Sequence, residues 1–373
     1  MKYFRITVSL MMIMVLSGCW SSRELDELAV VMGIGIDKSG DHLECCTQVI
    51  VPQNVGSGEE GGAHGEKPYT NFITEGKELS TCISKVSDTT GKYVFMSHNL
   101  IAVLDEDAAS DGIYKYLDYL MRDNQLRLSV CLFVTDKSPE EVFNAEAPLF
   151  EIPSINLSKI SEGFPESLSG QNVTVLDFIN NMMCKKKGSL VPFITLVDGK
   201  IKVCGSAVFN GDKMTGRLDE EDLKGVLWII GDLKGGDIVL DINNNTLSLR
   251  IGRIKSKTFP VLDKNGEIYI KAEIRGDLYL VSDDANMINT IGMDAVVEKL
   301  NQSVEKEILT SLSKTKKMGV DIYGFGDMIY RKNPAVWRAI ENTWENRFKE
   351  IRVDISADFS IIETGSIIGS VKK

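Results

Sequence analysis

Histidine is almost missing from this chain: only His42, His64 and His98 occur in 373 residues. That scarcity removes most routes to a catalytic triad or a histidine-rich metal centre. No P-loop, Gly-x-Ser-x-Gly or His-Glu-x-x-His string occurs either. Positive charge is short as well, with 42 Lys and Arg against 53 Asp and Glu and a formal net charge of −11. Such a chain repels phosphate backbones and anionic lipid heads, so neither nucleic acid nor polybasic membrane docking is expected. Beyond the N-terminal leader no stretch has the length and apolarity of a spanning helix, and no internal repeat is found.

The leader itself is informative. Lys2 and Arg5 give a positive start, residues 6–16 form an apolar run, and Ser17 and Gly18 supply small residues before Cys19. Eleven apolar residues rise only about 16 Å as a helix, roughly half of a ~30 Å hydrocarbon core. The segment therefore reads as an export signal, residues 1–18. Leu16-Ser17-Gly18-Cys19 resembles a lipobox, in which the cysteine thiol takes a diacylglyceryl group and becomes the new N-terminus. Two acyl chains hold a protein stably where one is marginal. Cys19 is thus the expected lipidation site, and the diacylglyceryl lipid the expected tie to the membrane.

Six cysteines follow: Cys45, Cys46, Cys82, Cys131, Cys184 and Cys204. Most lie in apolar strand-like or helical runs, where cysteine serves as a small hydrophobe, so free thiols are favoured over a disulfide framework. His42 with Cys45 and Cys46 is the nearest approach to a metal cluster. Adjacent strand residues point to opposite faces, and no second ligand pair follows, so no metal site is expected. Glu220, Glu221 and Asp222 open a helix and read as first-turn acids rather than catalysts. Gly33-Ile34-Gly35-Ile36-Asp37 lacks the third glycine and the helix start of a dinucleotide loop, and reads as a strand. Neither a cofactor nor a catalytic residue is expected.

The pattern of elements is α+β. Strands are expected at 28–37 and 42–51 as a hairpin, then at 99–104 and 126–134, with helices near 75–89, 112–123 and 174–184. Residues 52–68 are glycine-rich and read as a mobile loop, and 151–170 as an extended connector. The Asp198-Gly199 turn suggests a boundary, giving an N-terminal α+β domain over 19–199 and a C-terminal one over 200–373. The second opens with a hairpin about Asn210-Gly211. It continues with a helix capped by Asp219, strands at 236–241, 246–259 and 267–281, and a long helix near 287–317. Pro334 starts a last helix on which Trp337, Ile340, Trp344 and Phe348 share one face, and a strand follows at 351–363.

Several strings resemble the C-subunit lipoproteins of spore germinant receptors, the Ger(x)C family. Cys19-Trp20, Arg23-Glu24-Leu25, Leu28-Ala29-Val30-Val31 and Gly33 through Lys38 look like its opening, although Ser21 and Ser22 replace an expected Asp and Arg. Ser97-His98, Leu117-Asp118, Arg122-Asp123 and Arg127 are similar to its middle. Gly205, Val208-Phe209, Asp212-Lys213, Gly216 and Leu218 resemble the start of its C-terminal domain. Asp321, Gly324-Phe325-Gly326, Arg331-Lys332, Pro334 and Trp337 look like its closing motif. The resemblance implies a multi-lobed α+β protein with mixed sheets packed by helices and an N-terminal lipid anchor. It also implies a place on the outer face of the inner spore membrane, beside two integral membrane subunits, A and B, and no catalysis. The competing expectation is a solute-binding lipoprotein of a transporter, which needs matching lobes around a ligand cleft.

Overall fold

The computed structural model describes Tyr3, Phe4 and residues 24–362, apart from 41, 56–66, 124, 165–166, 168–169, 232, 234, 243 and 284. Cys19 and most of the glycine-rich stretch therefore lie outside the described residues. At the flanks of that stretch, Val51 N–H donates to the Pro68 carbonyl at 2.8 Å, which brings the loop ends together.

Thirteen strands form two mixed sheets among the described residues. The hairpin β1 (Leu28–Ser39) and β2 (His42–Ile50) is extended by β3 (Tyr69–Gly76), all antiparallel. On the other side of β1 lie β5 (Ile101–Asp105), β6 (Cys131–Thr135) and β7 (Ser189–Val197), parallel to it; β4 (Tyr93–Phe95) also pairs with the start of β1. All five residues of β6 are buried, as expected of a parallel strand covered on both faces. One face is covered by α1 (Leu79–Thr90), α2 (Glu106–Asp111), α3 (Tyr114–Arg122) and α6 (Val175–Met183). The other carries α4 (Pro139–Asn144) and α5 (Pro153–Gly163).

Strand pairing runs straight through residue 200. Asp198 and Gly199, both at positive φ, make a tight turn that joins β7 to β8 (Lys200–Asn210), and β9 (Lys213–Leu218) completes the first sheet. The Asp198-Gly199 turn is a hairpin turn within this sheet. The second sheet, β10 (Asp237–Ile242), β11 (Asn245–Leu262), β12 (Ile268–Asp283) and β13 (Val353–Ile362), packs one face on α7 (Glu220–Ile230) and on the long helix. Gly292, at φ +88°, breaks the expected 287–317 helix into α8 (Met287–Ile291) and α9 (Met293–Met318). The final region is α10 (Phe325–Lys332), α11 (Pro334–Ile340) and α12 (Trp344–Glu350). Edge strand β13 is blunted by α9: Glu305 accepts from Ala357 N–H at 3.0 Å and Asn301 from Phe359 N–H at 3.2 Å.

Residues 153–163 are helical rather than an extended connector. Its buried face holds Ser154, Ser158 and Ser161 beside Leu157, so the apolar periodicity that marks a helix is absent. Ser154 meets Gly33 of β1 at close range, and Ser161 Oγ donates to Asn172 Oδ1 at 3.0 Å.

Candidate functional site

Three of the quoted strings turn out to be places where chain segments approach too closely for ordinary side chains. A Cβ on Gly33 would lie 2.3 Å from Ser154 Oγ, and one on Gly35 would lie 2.3 Å from Pro139 Cβ. The opening glycines thus let α4 and α5 settle on β1. Beneath them the fully buried Gln48 amide uses both ends. Its Oε1 accepts from Ser154 N–H (3.1 Å) and Oγ (2.6 Å), and its Nε2 donates to the Phe143 carbonyl and Asn71 Oδ1, each at 3.0 Å. Such a network is stabilising because nothing in it is left unpaired.

Gly205 holds φ +111°, and a Cβ there would come 2.0 Å from the Leu218 carbonyl oxygen. Asp212, in the β8–β9 turn, accepts Ile113 N–H on its carbonyl at 2.9 Å and Tyr114 N–H on its carboxylate at 3.4 Å, capping α3. In the middle string, Leu117 is buried, whereas Asp118 and Arg122 form an exposed ion pair at 2.8 Å. His98 is exposed, its ring 5.7 Å from that of Phe95.

The closing motif is a buried knot. Gly324, at φ +75°, starts α10 without a side-chain cap of its own. Asp321 supplies one from upstream, accepting from Phe325 N–H at 3.0 Å and Gly326 N–H at 2.7 Å, and also from the Trp344 indole at 3.2 Å. Burial pushes the Asp321 carboxyl up to about 6, against the pull of these hydrogen bonds. Trp337, Ile340, Trp344 and Phe348 are all buried, so the expected apolar seam exists; a short 3₁₀ turn at Glu341–Thr343 splits the helix that carries it. A Cβ on Gly326 would lie 2.9 Å from the Trp337 ring and from the Trp344 indole nitrogen.

This knot also joins the halves. Gly188 N–H donates to the Asp321 carbonyl at 2.9 Å, Lys185 N–H reaches Asp327 Oδ1 at 3.3 Å, and Lys185 and Lys186 pair with Glu341 and Glu345 at 3.6 and 3.8 Å. Sequence reasoning quoted Asp321 without giving it a role. Its signal was an acid three residues before a Gly-Phe-Gly helix start.

Among the described residues no His, Cys, Asp or Glu group is placed to hold a metal ion. Cys45 and Cys46 belong to cores on opposite faces of the first sheet, and His42 is exposed at the start of β2. The six cysteines after Cys19 are free thiols, four of them buried. Asp219 caps α7 through Asp222 N–H at 2.9 Å, and the Asp222 carboxylate pairs with Lys314. No helix among the described residues is long and apolar enough to cross a membrane.

Comparison with known proteins places this architecture. Residues 21–197 match the family described as spore germination protein N-terminal domain, and residues 204–365 the one described as spore germination B3/GerAC like, C-terminal. Spore germination protein KC of Bacillus subtilis is 27% identical over 397 residues, covering 98% of this chain and 96% of the relative. Spore germination protein B3 of the same organism is 22% identical, covering 97% and 98%. The crystal structure of the GerBC protein superimposes with a TM-score of 0.58 at 17% identity, over 89% of this chain and 97% of that one. With both halves matched in order and the mixed α+β fold shared, the chain belongs to the GerAC-like family of spore germination proteins.

Proposed function

We propose that this protein is a lipid-anchored, non-catalytic subunit of a nutrient germinant receptor. It acts beside two integral membrane subunits, on the outer face of the inner spore membrane. The observation that carries the reading is the end-to-end kinship with spore germination proteins, 98% of this chain against 96% of the KC relative. Support also comes from the fate of the quoted motifs. Gly33, Gly35, Gly205, Asp321 and Gly326 serve close packing and capping, the pattern expected of a scaffold rather than of a reaction centre. Leu16-Ser17-Gly18-Cys19 supplies the anchor. A lipid at Cys19 raises the local concentration of partners in the same membrane, so modest contacts suffice for assembly.

The test is co-purification from spore membranes. Wild-type chain should bring down two integral membrane subunits, and Cys19→Ala should lose both the lipid mass and most of that recovery. Recovery of a permease and an ATPase instead, with loss of uptake of one solute in growing cells, would favour the transporter reading.

A further inference from the structure

Helix α1 stops at Thr90 and leaves one end of the first sheet uncovered. A groove of about 510 Å³ opens there, with Leu25, Leu28, Ala29, Val49, Val51 and Phe72 in its lining and Lys92 at its rim. Exposed apolar bodies stand nearby: Leu25 is 68% exposed, Val55 50% and Tyr93, which pairs with Leu28 across β4 and β1, 39%. Other exposed apolar side chains include Leu149 in the turn between α4 and α5, Met183 at the end of α6, Val239 on β10, and Tyr279, Val281 and Ile362 on β12 and β13, and none of these lies as close in sequence to Cys19 as Leu25 does. Leu25 follows Cys19 by six residues, a span of at most about 20 Å. A lipid on Cys19 would therefore keep Leu25 within about 20 Å of the bilayer surface.

We propose that the groove end, with Leu25, Val55 and Tyr93, is a membrane-facing surface that takes acyl chains of the bilayer. The proposal rests on the lipidation reading of Cys19. The chemistry suits an interface: apolar bodies meet the acyl boundary, a tyrosine sits at the headgroup level, and Lys92 can extend its stem and keep its ammonium in water. Glu24, Asp26 and Glu27 flank Leu25 and are exposed, so contact stays shallow and is weakened by anionic headgroups.

The experiment uses the full processed chain in phosphatidylcholine vesicles containing a phosphatidylcholine with a photoactivatable acyl chain. After irradiation, adducts should concentrate in peptides carrying Leu25–Leu28, Val49–Val55 and Tyr93. Leu25→Glu with Val55→Glu should lower their yield by about tenfold while the lipid mass on Cys19 is retained. Replacing phosphatidylcholine by phosphatidylglycerol should lower the yield too, with recovery in added salt. Adducts spread evenly, or centred on the second sheet near Val239, with the lipid present, would overturn the membrane-facing assignment alone. Intact mass without lipid on Cys19 would overturn the anchor reading and this proposal with it.

Discussion

The Trp344 indole donates to the Asp321 carboxylate at 3.2 Å, and both residues are almost wholly buried. One acid thereby ties three parts of the C-terminal region: its own loop, the start of α10 and the start of α12. The same residue's carbonyl accepts Gly188 N–H, so the tie extends to the turn that leads into β7.

Asp321→Asn should be destabilising at neutral pH, because an amide cannot accept from all three donors. A cost of about 1–3 kcal/mol is expected, read as a lowered unfolding midpoint. The pH dependence is more diagnostic. The folded-state value of about 6 lies above the ordinary carboxylate value. Protonation therefore favours the folded state, and this group's stabilisation is fully present below about pH 4 and lost as pH rises through 6. Wild type should gain on Asp321→Asn by roughly 2–2.5 kcal/mol on going from pH 7 to pH 4. A difference that does not change with pH would contradict the buried carboxyl.

Gly33→Ala tests close approach without any backbone strain, since Gly33 is not among the positive-φ glycines. Overpacking against Ser154 and Phe143 should cost about 1–3 kcal/mol. Gly40→Ala in the adjoining turn has open space at its Cβ and only a positive φ to fight, so its cost should be near 1 kcal/mol. An unchanged midpoint for Gly33→Ala would mean that α5 does not press on β1.

Trp337→Ala should cost about 3–5 kcal/mol, because the ring is fully buried against Trp344 at a centroid distance of 5.5 Å. Thermal unfolding of the full chain is the measurement. An unchanged midpoint would place the side chain at a surface and turn the seam into a docking face.

Much of this was legible in the sequence where a local rule decides the structure. Asp219 and the Asn210-Gly211 turn gave a cap and a hairpin that the structure places where expected. Helix α5 was not legible, because its buried face is serine and its partner, Gln48, lies more than a hundred residues away. The role of Gly33 and Gly35 was hidden for the same reason. A strand reading explains why they are tolerated, but only the two helices laid across β1 explain why larger residues are not. Strand β3, Tyr69–Gly76, was not legible, since its pairing with β2 spans the glycine-rich stretch and leaves no local signal. Cys19 rests on sequence alone and lies outside the described residues.

Cys19→Ala should remove the diacylglyceryl mass and leave the folded domains unchanged in their unfolding midpoint. Labelled fatty acid entering the Cys19→Ala protein would show that the anchor sits elsewhere.

The most direct test of the account is germination of spores lacking this chain, in a background without redundant receptors. Optical-density loss after addition of single nutrients would be compared with the response to agents that bypass receptors. Germination with one group of nutrients should be abolished or slowed, the bypass response should be normal, and Cys19→Ala should reproduce much of the defect. Normal germination with every nutrient would contradict a receptor-subunit role for this protein.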